Sequence, residues 1–404
     1  MENGGNNMNV LVINAGSSSL KYQLLNPATG VLLAKGLCER IGIEGSQLTY
    51  KSNKGDKVEI QNPMPNHEVA IKMVLDILVD KKVGVISDMS QIAAVGHRVV
   101  HGGEKFAASV LINDEVIKAI ESCIPLGPLH NPANLMGIAG CQAVMPGVPM
   151  VAVFDTAWGQ AMDQSAYMYA LPYEMYKEYG IRRYGFHGTS HKYVTGRALA
   201  LLENPDARII TCHLGNGSSV SCSVAGKCVD TSMGLTPLEG LPMGTRCGSM
   251  DPAIVTYIMN RLHKDAKEVD AIMNKQSGML GISGVSSDFR DLGTAAQAGN
   301  ERAKLALDMF IYSVKKYIGS YAAAMNGVDA IVFTAGVGEN DRSVRAGVLK
   351  NMEYLGILPD FEYNETCPRG EEVCISKPES PVKVFVIPTD EEMAIARDTA
   401  RLAL

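Results

Sequence analysis

Hydrophobic and polar positions divide the first part of the chain into alternating strand-type and helix-type segments. Apolar runs and period-two alternation predict strands over residues 9–14, 20–26, 30–38, 92–101 and 149–155, with a hairpin near 47–60. Helical periodicity predicts helices over residues 67–81, 113–123 and 131–145. This order indicates an α/β region that opens with consecutive strands.

The second part of the chain repeats the theme. The same patterns predict strands over residues 208–214, 219–225, 227–231, 329–335 and 382–387. They predict helices over residues 252–262, 265–276, about 300–326, 341–352 and 390–403. In the last helix, Thr389 is the predicted N-cap and Glu392 completes a capping box. Two α/β domains with mixed sheets are therefore expected.

Two polar turns join apolar strands, and both contain the sequence Gly-Ser-Ser. It occurs at 16–18 within VLVINAGSSSLKY (10–22), and again at 217–219 within IITCHLGNGSSVSCSV (209–224). Glycine and serine can present backbone and hydroxyl donors to a phosphate, although either turn alone could be an ordinary hairpin. The recurrence favours an internal duplication with a ligand between the copies.

Composition limits the class of partner. The 404 residues carry a net charge of −6, which argues against nucleic acid or an anionic membrane. The sequence has no apolar run of 18 residues and begins with no signal-peptide pattern, and residues before Val10 are predicted to form a disordered tail. The 9 scattered cysteines are typical of a reducing compartment, so a cytoplasmic protein is expected.

Nucleotide binding, if present, must use turns, because no Walker A loop or dinucleotide fingerprint occurs. The predicted strand over 92–101 turns Arg98 and Val100 to one face, and a cation beside a valine suits a small carboxylate. A structural ion pair is the alternative for Arg98. Asp155 ends an apolar strand, where ligand sites of α/β folds form.

Ten motifs occur in order and together resemble the acetate kinase family, within the superfamily of sugar kinases, actin and heat-shock ATPases. They are NAGSSSLK (14–21), GHRVVHGG (96–103), PLHNP (128–132), FDTA (154–157), RRYGFHGTSH (182–191), HLGNGSS (213–219), GTRCGSMDP (244–252), SSDFRD (286–291), AGVGEN (335–340) and TDEE (389–392). The chain departs from the family pattern at Trp158, Gly159 and Asp163.

The resemblance implies two duplicated actin/ribonuclease H-like domains with mixed sheets flanked by helices and a nucleotide cleft between them. The first domain would comprise residues 1–155 with 388–404, and the second would comprise 156–387. The resemblance also implies a homodimer.

The resemblance further implies the residues of the site. Catalytic roles fall on Asp155, His187, Arg246 and Arg98. Residues that would bind the carboxylate substrate are Arg98, Val100, Leu129, His130, Phe186 and Pro237. Those that would bind ATP are Lys21, His213, Leu214, Gly215, Asn216, Gly217, Asp288, Phe289, Arg290, Gly336, Val337, Gly338, Glu339 and Asn340. Asn14 and Glu391 would hold Mg²⁺, with Mn²⁺ as an alternative.

The sequence thus predicts reversible transfer of the γ-phosphoryl group of ATP to acetate, giving acetyl phosphate and ADP. The family assigns Asp155 acid/base work, but a carboxylic acid is already ionised at pH 7, so positioning is the better physical role. Val100 favours acetate over longer acids. The alternatives are a propionate or butyrate kinase, a non-catalytic actin-like nucleotide switch and a sugar kinase.

Overall fold

The computed structural model describes residues 8–404 and divides into two compact units. One unit runs to Ala157 and also includes Asp390–Leu404, while the other is Trp158–Thr389. The tail predicted before Val10 falls largely on residues 1–7, which lie outside the described residues.

The first unit is built on an eight-stranded mixed sheet. Its strands are β1 Asn9–Ala15, β2 Ser19–Asn26, β3 Val31–Glu39, β4 Gln47–Ser52, β5 Lys57–Gln61, β6 Ile92–Val99, β7 Val110–Leu111 and β8 Met150–Phe154. Its first three helices are α1 His67–Leu78, α2 Asp114–Ser122 and α3 Asn131–Val144. The strand order is β5-β4-β3-β2-β1-β6-β8-β7, with β1 antiparallel to β2 and parallel to β6.

The second unit contains a six-stranded mixed sheet in the order β11-β10-β9-β12-β14-β13. The strands are β9 Arg208–Leu214, β10 Ser218–Val224, β11 Lys227–Thr231, β12 Ala330–Thr334, β13 Val373–Cys374 and β14 Lys383–Val386. The helices are α4 Gln164–Tyr167, α5 Tyr173–Tyr179, α6 Gly188–Leu202, α7 Ala253–Leu262, α8 Ala266–Lys275, α9 Gly278–Ser283, α10 Phe289–Gln297, α11 Glu301–Ala324, α12 Ala335–Asn340, α13 Arg342–Leu349 and α14 Phe361–Thr366.

The last helix, α15 Glu391–Ala403, belongs to the first unit. The predicted N-cap at Thr389 is wrong. The Asp390 side chain caps the helix by accepting a hydrogen bond from the Met393 N–H at 3.0 Å, so the helix begins one residue later. A carboxylate at the N-cap also suits the positive end of the helix dipole.

The two faces of the first sheet carry different cores. Leu11 and Ile13 belong to the core formed with α1 and α3, whereas Val10 and Val12 pack with α15. Successive strand residues point to opposite faces, so Asn14 continues the Val10–Val12 series on the α15 side. The pattern of β1 therefore positions a polar side chain at the end of an otherwise buried face.

The predicted α/β architecture with two mixed sheets is confirmed, but one substantial helix was not predicted. This helix is α6, whose buried residues include Thr189, Ser190, His191 and Thr195. Its buried side is partly polar, so the apolar periodicity that identifies most helices is weak. Other elements absent from the prediction are β7, α4, α5, α9, α10, α12, α14 and β13.

Candidate functional site

In the first unit, Arg98 and Asp155 form a two-pronged ion pair. Arg98 Nε donates to Asp155 Oδ1 at 3.1 Å and Nη2 donates to Oδ2 at 2.6 Å, while Nη1 lies 3.4 Å from Asn14 Oδ1. The Asp155 side chain is only 2 % exposed and that of Arg98 is 25 % exposed. Since Asp155 occupies the Nε–Nη2 fork, only the outer N–H groups on Nη1 and Nη2 remain to bind a ligand.

Glu391 adds a second carboxyl group to this cluster. Burial raises the pKa of Glu391 to about 7; Arg98 opposes this shift and Asp155 adds to it. With the amide of Asn14, the cluster offers the oxygen ligands that Mg²⁺ prefers. Within residues 8–404, no group of three or more His, Cys, Asp and Glu side chains could hold a metal. The residues fit a Mg²⁺ ion that keeps several waters rather than one fully enclosed by protein.

The residues predicted to meet the acyl group in this unit have different environments. Strand β6 ends at Val99, two residues earlier than predicted, so Val100 lies just beyond the strand that carries Arg98. Val100 is buried just past the strand, and its N–H donates to Asn134 Oδ1 at 3.0 Å. Leu129 is 76 % exposed and His130, the N-cap of α3, is also exposed.

Lys21 lies on β2 opposite Asn14 on β1. Both residues line a cavity of ≈ 500 Å³ on the first unit, and Glu392 lines it as well. The exposed cation Lys21 therefore lies close enough to the acid-rich cluster around Arg98 to interact with Glu391.

In the second unit, two histidines lie beside the turn between β9 and β10: His213 on β9 and His187 at the start of α6. His187, with φ 57°, is the N-cap of α6, and its Nδ1 lies 2.9 Å from Ser219 Oγ on β10. Its ring stacks on that of His213 at 4.1 Å between centroids. His213 Nδ1 is in turn 2.8 Å from Ser190 Oγ on α6.

Gly217 lies against both His187 and Arg246. A Cβ atom on Gly217 would lie 3.5 Å from His187 Nε2 and 3.7 Å from Arg246 Nη1. Arg246 Nη1 also donates to the Pro237 carbonyl at 3.3 Å, which joins two residues that the sequence predicted separately. Burial lowers the pKa of Arg246, and no acidic side chain of the described chain pairs with it. Its positive charge is therefore available to an anion.

A cavity of ≈ 870 Å³ lies in the second unit, a volume within the usual range for small-molecule sites. Eight of the predicted ATP-binding residues line it: Gly215, Asn216, Asp288, Phe289, Arg290, Gly336, Val337 and Asn340. Arg290 is highly exposed and pairs with Asp288, and this contact lowers the pKa of Asp288 to about 2.

Besides Lys21 in the first unit, five residues predicted for ATP do not line this cavity: His213, Leu214, Gly217, Gly338 and Glu339. Leu214 is fully buried in the core. The Glu339 carboxylate accepts from the Ala335 N–H at 2.8 Å and from the Thr389 N–H at 3.1 Å. Glu339 therefore stabilises the protein's own backbone here.

Sequence reasoning missed a group that supports the cavity. Arg345 on α13 is 1 % exposed; its Nη1 donates to the carbonyls of Gly338 and Glu339, at 3.0 and 2.8 Å, and its Nε donates to Asn364 Oδ1 at 2.8 Å. An arginine on a helix normally predicts an exposed position, so only its place just after a glycine-rich turn could have drawn attention to it. Also missed were the lining residues Ser287, Asp341, Arg342, Ser343, Glu365 and Arg369.

The departures from the family pattern fit their surroundings. Trp158 Nε1 donates to Ser221 Oγ at 3.1 Å. At Gly159, any side chain would collide with the Tyr184 carbonyl, so glycine is the residue that this packing allows.

Two residues of the second unit are also predicted to contact the acyl group. Phe186 is buried and Pro237 is half-buried.

Comparison with known proteins identifies the family. Residues 9–397 match the model of the acetokinase family. The chain is 60 % identical to an acetate kinase of Clostridium botulinum (strain Langeland), over 98 % of this chain and 99 % of that protein. It is 58 % identical to an acetate kinase of Methanosarcina barkeri, over 98 % and 97 % respectively.

Solved structures agree with the sequence comparison. The acetate kinase of Porphyromonas gingivalis superposes with a TM-score of 0.96 at 51 % identity, over 98 % of this chain and all of that one. A propionate kinase from Francisella tularensis gives a TM-score of 0.91 at 42 % identity, with the same coverage. The chain belongs to the acetokinase family, as its motifs predicted, and has the actin-like fold of that family. No helix among residues 8–404 is long and apolar enough to cross a membrane.

Proposed function

We propose that this protein is a reversible ATP:acetate phosphotransferase that makes acetyl phosphate and ADP. Membership of the acetokinase family supports this, as does the high identity with acetate kinases over nearly the whole chain. The observation that carries the proposal is Arg246, an unpaired, half-buried guanidinium beside Gly217 and His187 in the unit that holds the larger cavity. Such a group suits the negative charge of a phosphoryl group in transfer.

The first unit supplies the acceptor. A carboxylate oxygen of acetate attacks the γ-phosphorus in line, the new O–P bond forms, and the bond to the ADP oxygen breaks. Acetate is ionised at pH 7, so no proton has to be removed. Arg98 binds the acetate carboxylate with its outer N–H groups, and Asp155 holds Arg98 in orientation. Val100, Leu129, Phe186 and Pro237 remain the proposed contacts of the acetate methyl group, and His130 is proposed to order their pocket.

The second unit supplies the nucleotide site. The backbone of His213–Gly217 faces the phosphates, and the cavity residues around Asp288 and Gly336 take the nucleoside. Arg246 and His187 stabilise charge on the equatorial oxygens of the transferring group. Lys21, from the first unit, is proposed as a further phosphate contact. Asn14 and Glu391 are proposed to hold Mg²⁺, or Mn²⁺, which when bound neutralises charge on the phosphates.

The test is to trap the product with hydroxylamine, since only an acyl phosphate yields a hydroxamate. Purified protein with Mg·ATP should give a hydroxamate with acetate, less with propionate and little with butyrate. Glycerol and glucose, which have no carboxylate, are the negative controls. ATP consumption with glycerol or glucose and no hydroxamate with any acid would overturn the proposal in favour of a sugar kinase. Nucleotide binding without turnover would favour a switch.

A propionate kinase is the second candidate, because the propionate kinase of Francisella tularensis is structurally similar across nearly the whole chain. The same assay separates the two, since a propionate kinase would show a higher kcat/KM with propionate than with acetate.

We also propose a cytoplasmic homodimer that associates through the second unit. Helix α7 has no buried residue, yet it presents Ile254, Tyr257 and Leu262, with Tyr257 66 % exposed. Helix α11 exposes Leu305, Met309 and Tyr312 at i, i+4 and i+7. Exposed apolar faces of this kind mark association surfaces. Light scattering should show a dimer, and Tyr257→Glu should give a folded monomer, whereas a wild-type monomer would contradict the proposal.

A further inference from the structure

A fully buried histidine, His191, is connected to His187 by a single hydroxyl group. His191 Nδ1 lies 2.6 Å from Thr211 Oγ1, and its Nε2 lies 2.7 Å from Ser219 Oγ. The same Ser219 Oγ is 2.9 Å from His187 Nδ1. Helix α6 and strands β9 and β10 therefore hold a continuous chain of hydrogen bonds that ends on a proposed catalytic ring.

The direction of the first bonds follows from what each group can donate. Thr211 Oγ1 lies 3.4 Å from the Ser221 carbonyl, which can only accept, so the Thr211 hydroxyl donates to it. Thr211 must then accept from a proton on His191 Nδ1. Burial and the neighbouring His213 lower the pKa of His191 well below its usual value, so the ring is neutral and its Nε2 carries a lone pair.

The rest of the chain is then determined. Ser219 has one hydroxyl proton, and it goes to the bare Nε2 of His191. Ser219 Oγ can therefore only accept from His187, which requires a proton on His187 Nδ1. We propose that His191, acting through Ser219, is a positioning residue that fixes neutral His187 in the Nδ1–H tautomer and turns its Nε2 lone pair toward the turn at Gly217.

The tautomer has a chemical consequence. Phosphate oxygens only accept hydrogen bonds, so His187 Nε2 can donate to them only when the ring is an imidazolium. Groups that face His187 include His213, stacked on it, Arg246 beside Gly217, and His191 behind Ser219. Positive charge on Arg246 opposes imidazolium formation and a bound phosphate favours it. Phosphate binding should therefore take up a proton at His187. This consequence rests on the proposed function, whereas the tautomer itself does not.

The tautomer can be measured without substrate. In ¹⁵N-histidine-labelled protein, two-bond ¹H–¹⁵N correlation spectra distinguish a protonated ring nitrogen from a bare one. The His187 signals are those absent from a His187→Asn variant. Above the pH at which His187 is charged, we expect a protonated Nδ1 and a bare Nε2. A protonated Nε2 in the neutral wild-type ring would overturn the proposal.

Ser219→Ala removes the link while it leaves both rings in place. We expect the His187 spectrum to change to a mixture of both tautomers. Ser223→Ala is the matched control, because Ser223 is a buried serine on the same face of β10 whose Oγ has no hydrogen-bond partner in the described chain. It should leave the spectrum unchanged. An unaltered His187 pattern in folded Ser219→Ala would equally overturn the proposal.

A kinetic measurement separates positioning from a merely structural role. In the wild type, kcat for hydroxamate formation should fall as pH rises and His187 loses its charge. In Ser219→Ala, neutral His187 can present an Nε2–H, so the decline should be shallower, with a roughly tenfold lower maximum because the ring is less well oriented. Equal slopes in the two proteins would count against the proposal. If the wild type makes no hydroxamate, the proposed function fails, while the spectra still decide the tautomer.

Discussion

The two hairpins β1–β2 and β9–β10 share the sequence Gly-Ser-Ser but use it differently. In the first, Gly16, Ser17 and Ser18 form the turn itself, and the Gly16 N–H donates to the Ser19 carbonyl at 2.8 Å. In the second, the turn is residues 215–217, and both serines lie in β10. There Ser218 Oγ accepts from the Gly215 N–H at 3.1 Å and donates to the Gly215 carbonyl.

The charges around the two hairpins differ more than their sequences. Beside the first, Arg98 is neutralised by Asp155, and Glu391 supplies another carboxyl group. Beside the second, Arg246 has no acidic partner in the described chain. An acid-rich cluster suits a metal ion, whereas an unpaired cation suits an anion. The two hairpins therefore share a strand–turn–strand form but differ in the charges around them.

The largest expected effect comes from removal of the unpaired cation. Arg246→Ala should lower kcat by roughly 10²–10³ with little change in the acetate KM, because the guanidinium acts on charge that develops in the transition state. Steady-state hydroxamate assays measure this. Arg197→Ala is the matched control, since Arg197 pairs with Glu372 at the surface of the same unit. A wild-type rate in Arg246→Ala would show that the unpaired cation beside the second hairpin does not act in catalysis.

The paired cation should behave differently. Arg98→Ala leaves Asp155 buried without its partner, which should lower the free energy of unfolding by about 2–3 kcal/mol after allowance for the partial exposure of Arg98. Adding Asp155→Asn removes the stranded charge, so the double variant should regain most of that stability. Its acetate KM should stay high. Urea unfolding of the ligand-free proteins gives the first quantity and kinetics gives the second.

Two results would contradict this account of Arg98. A double variant as unstable as Arg98→Ala would show that the ion pair does not explain the loss. A normal acetate KM in the double variant would show that Arg98 serves only as a structural partner for Asp155.

Glu391, in the cluster beside the first hairpin, should make the free energy of unfolding of the protein depend on pH. Its pKa is raised from 4.5 to about 7, so the folded state holds the proton more tightly than the unfolded state. The stabilisation is present below pH 4.5 and is lost as pH rises to 7, an effect of about 1–2 kcal/mol for a half-buried group. Melting temperatures of the metal-free protein should show this fall, and Glu391→Gln should lack it.

The same melting measurement with added Mg²⁺ tests whether Glu391 binds the metal ion. At pH 8 the ionised Glu391 should bind Mg²⁺, which raises the melting temperature of the wild type and has little effect on Glu391→Gln. Equal responses of the two proteins to Mg²⁺ would place the ion elsewhere.

The smallest expected effect concerns the choice of acid. Val100→Ala should make room for about one more carbon and raise the propionate/acetate ratio of kcat/KM by roughly tenfold. Val99→Ala is the matched control, because it truncates the neighbouring buried valine within the core. Melting temperatures report the cost of each cavity. An unchanged ratio in folded Val100→Ala would show that Val100 does not contact the acyl group.

Much of the fold was predictable because most strands and long helices carry simple apolar periodicity. Helix α6 was not, since its buried positions include Ser190 and His191, whose environment is made polar by hydrogen bonds from other elements. The N-cap shifted from Thr389 to Asp390 for a similar reason. Both residues can cap a helix, and Thr389 Oγ1 instead lies 2.8 Å from Ser190 Oγ, a residue 199 positions away.

The candidate site also contains residues that the sequence could predict and contacts that it could not. Eight of the predicted ATP-binding residues line the cavity in the second unit. They could be predicted because each belongs to a short motif of contiguous residues with one role. The partners of those residues were harder to predict. The sequence suggested an ion pair as the alternative role of Arg98 but did not identify Asp155 as its partner, because the two residues are 57 positions apart. Arg345 gave no signal beyond its place after a glycine-rich turn, since its acceptors are carbonyls and an amide rather than a carboxylate.

Arg345 also determines how this part of the protein can be recombined with its relatives. Its guanidinium joins α12, through the carbonyls of Gly338 and Glu339, to α14, through Asn364. A chimera that exchanges residues 335–349 without residues 361–366 risks leaving a buried cation without one of its acceptors. The three helices α12, α13 and α14 should therefore be exchanged together. In a chimera, the junction between the two parent sequences should lie before Ala335 or after Thr366.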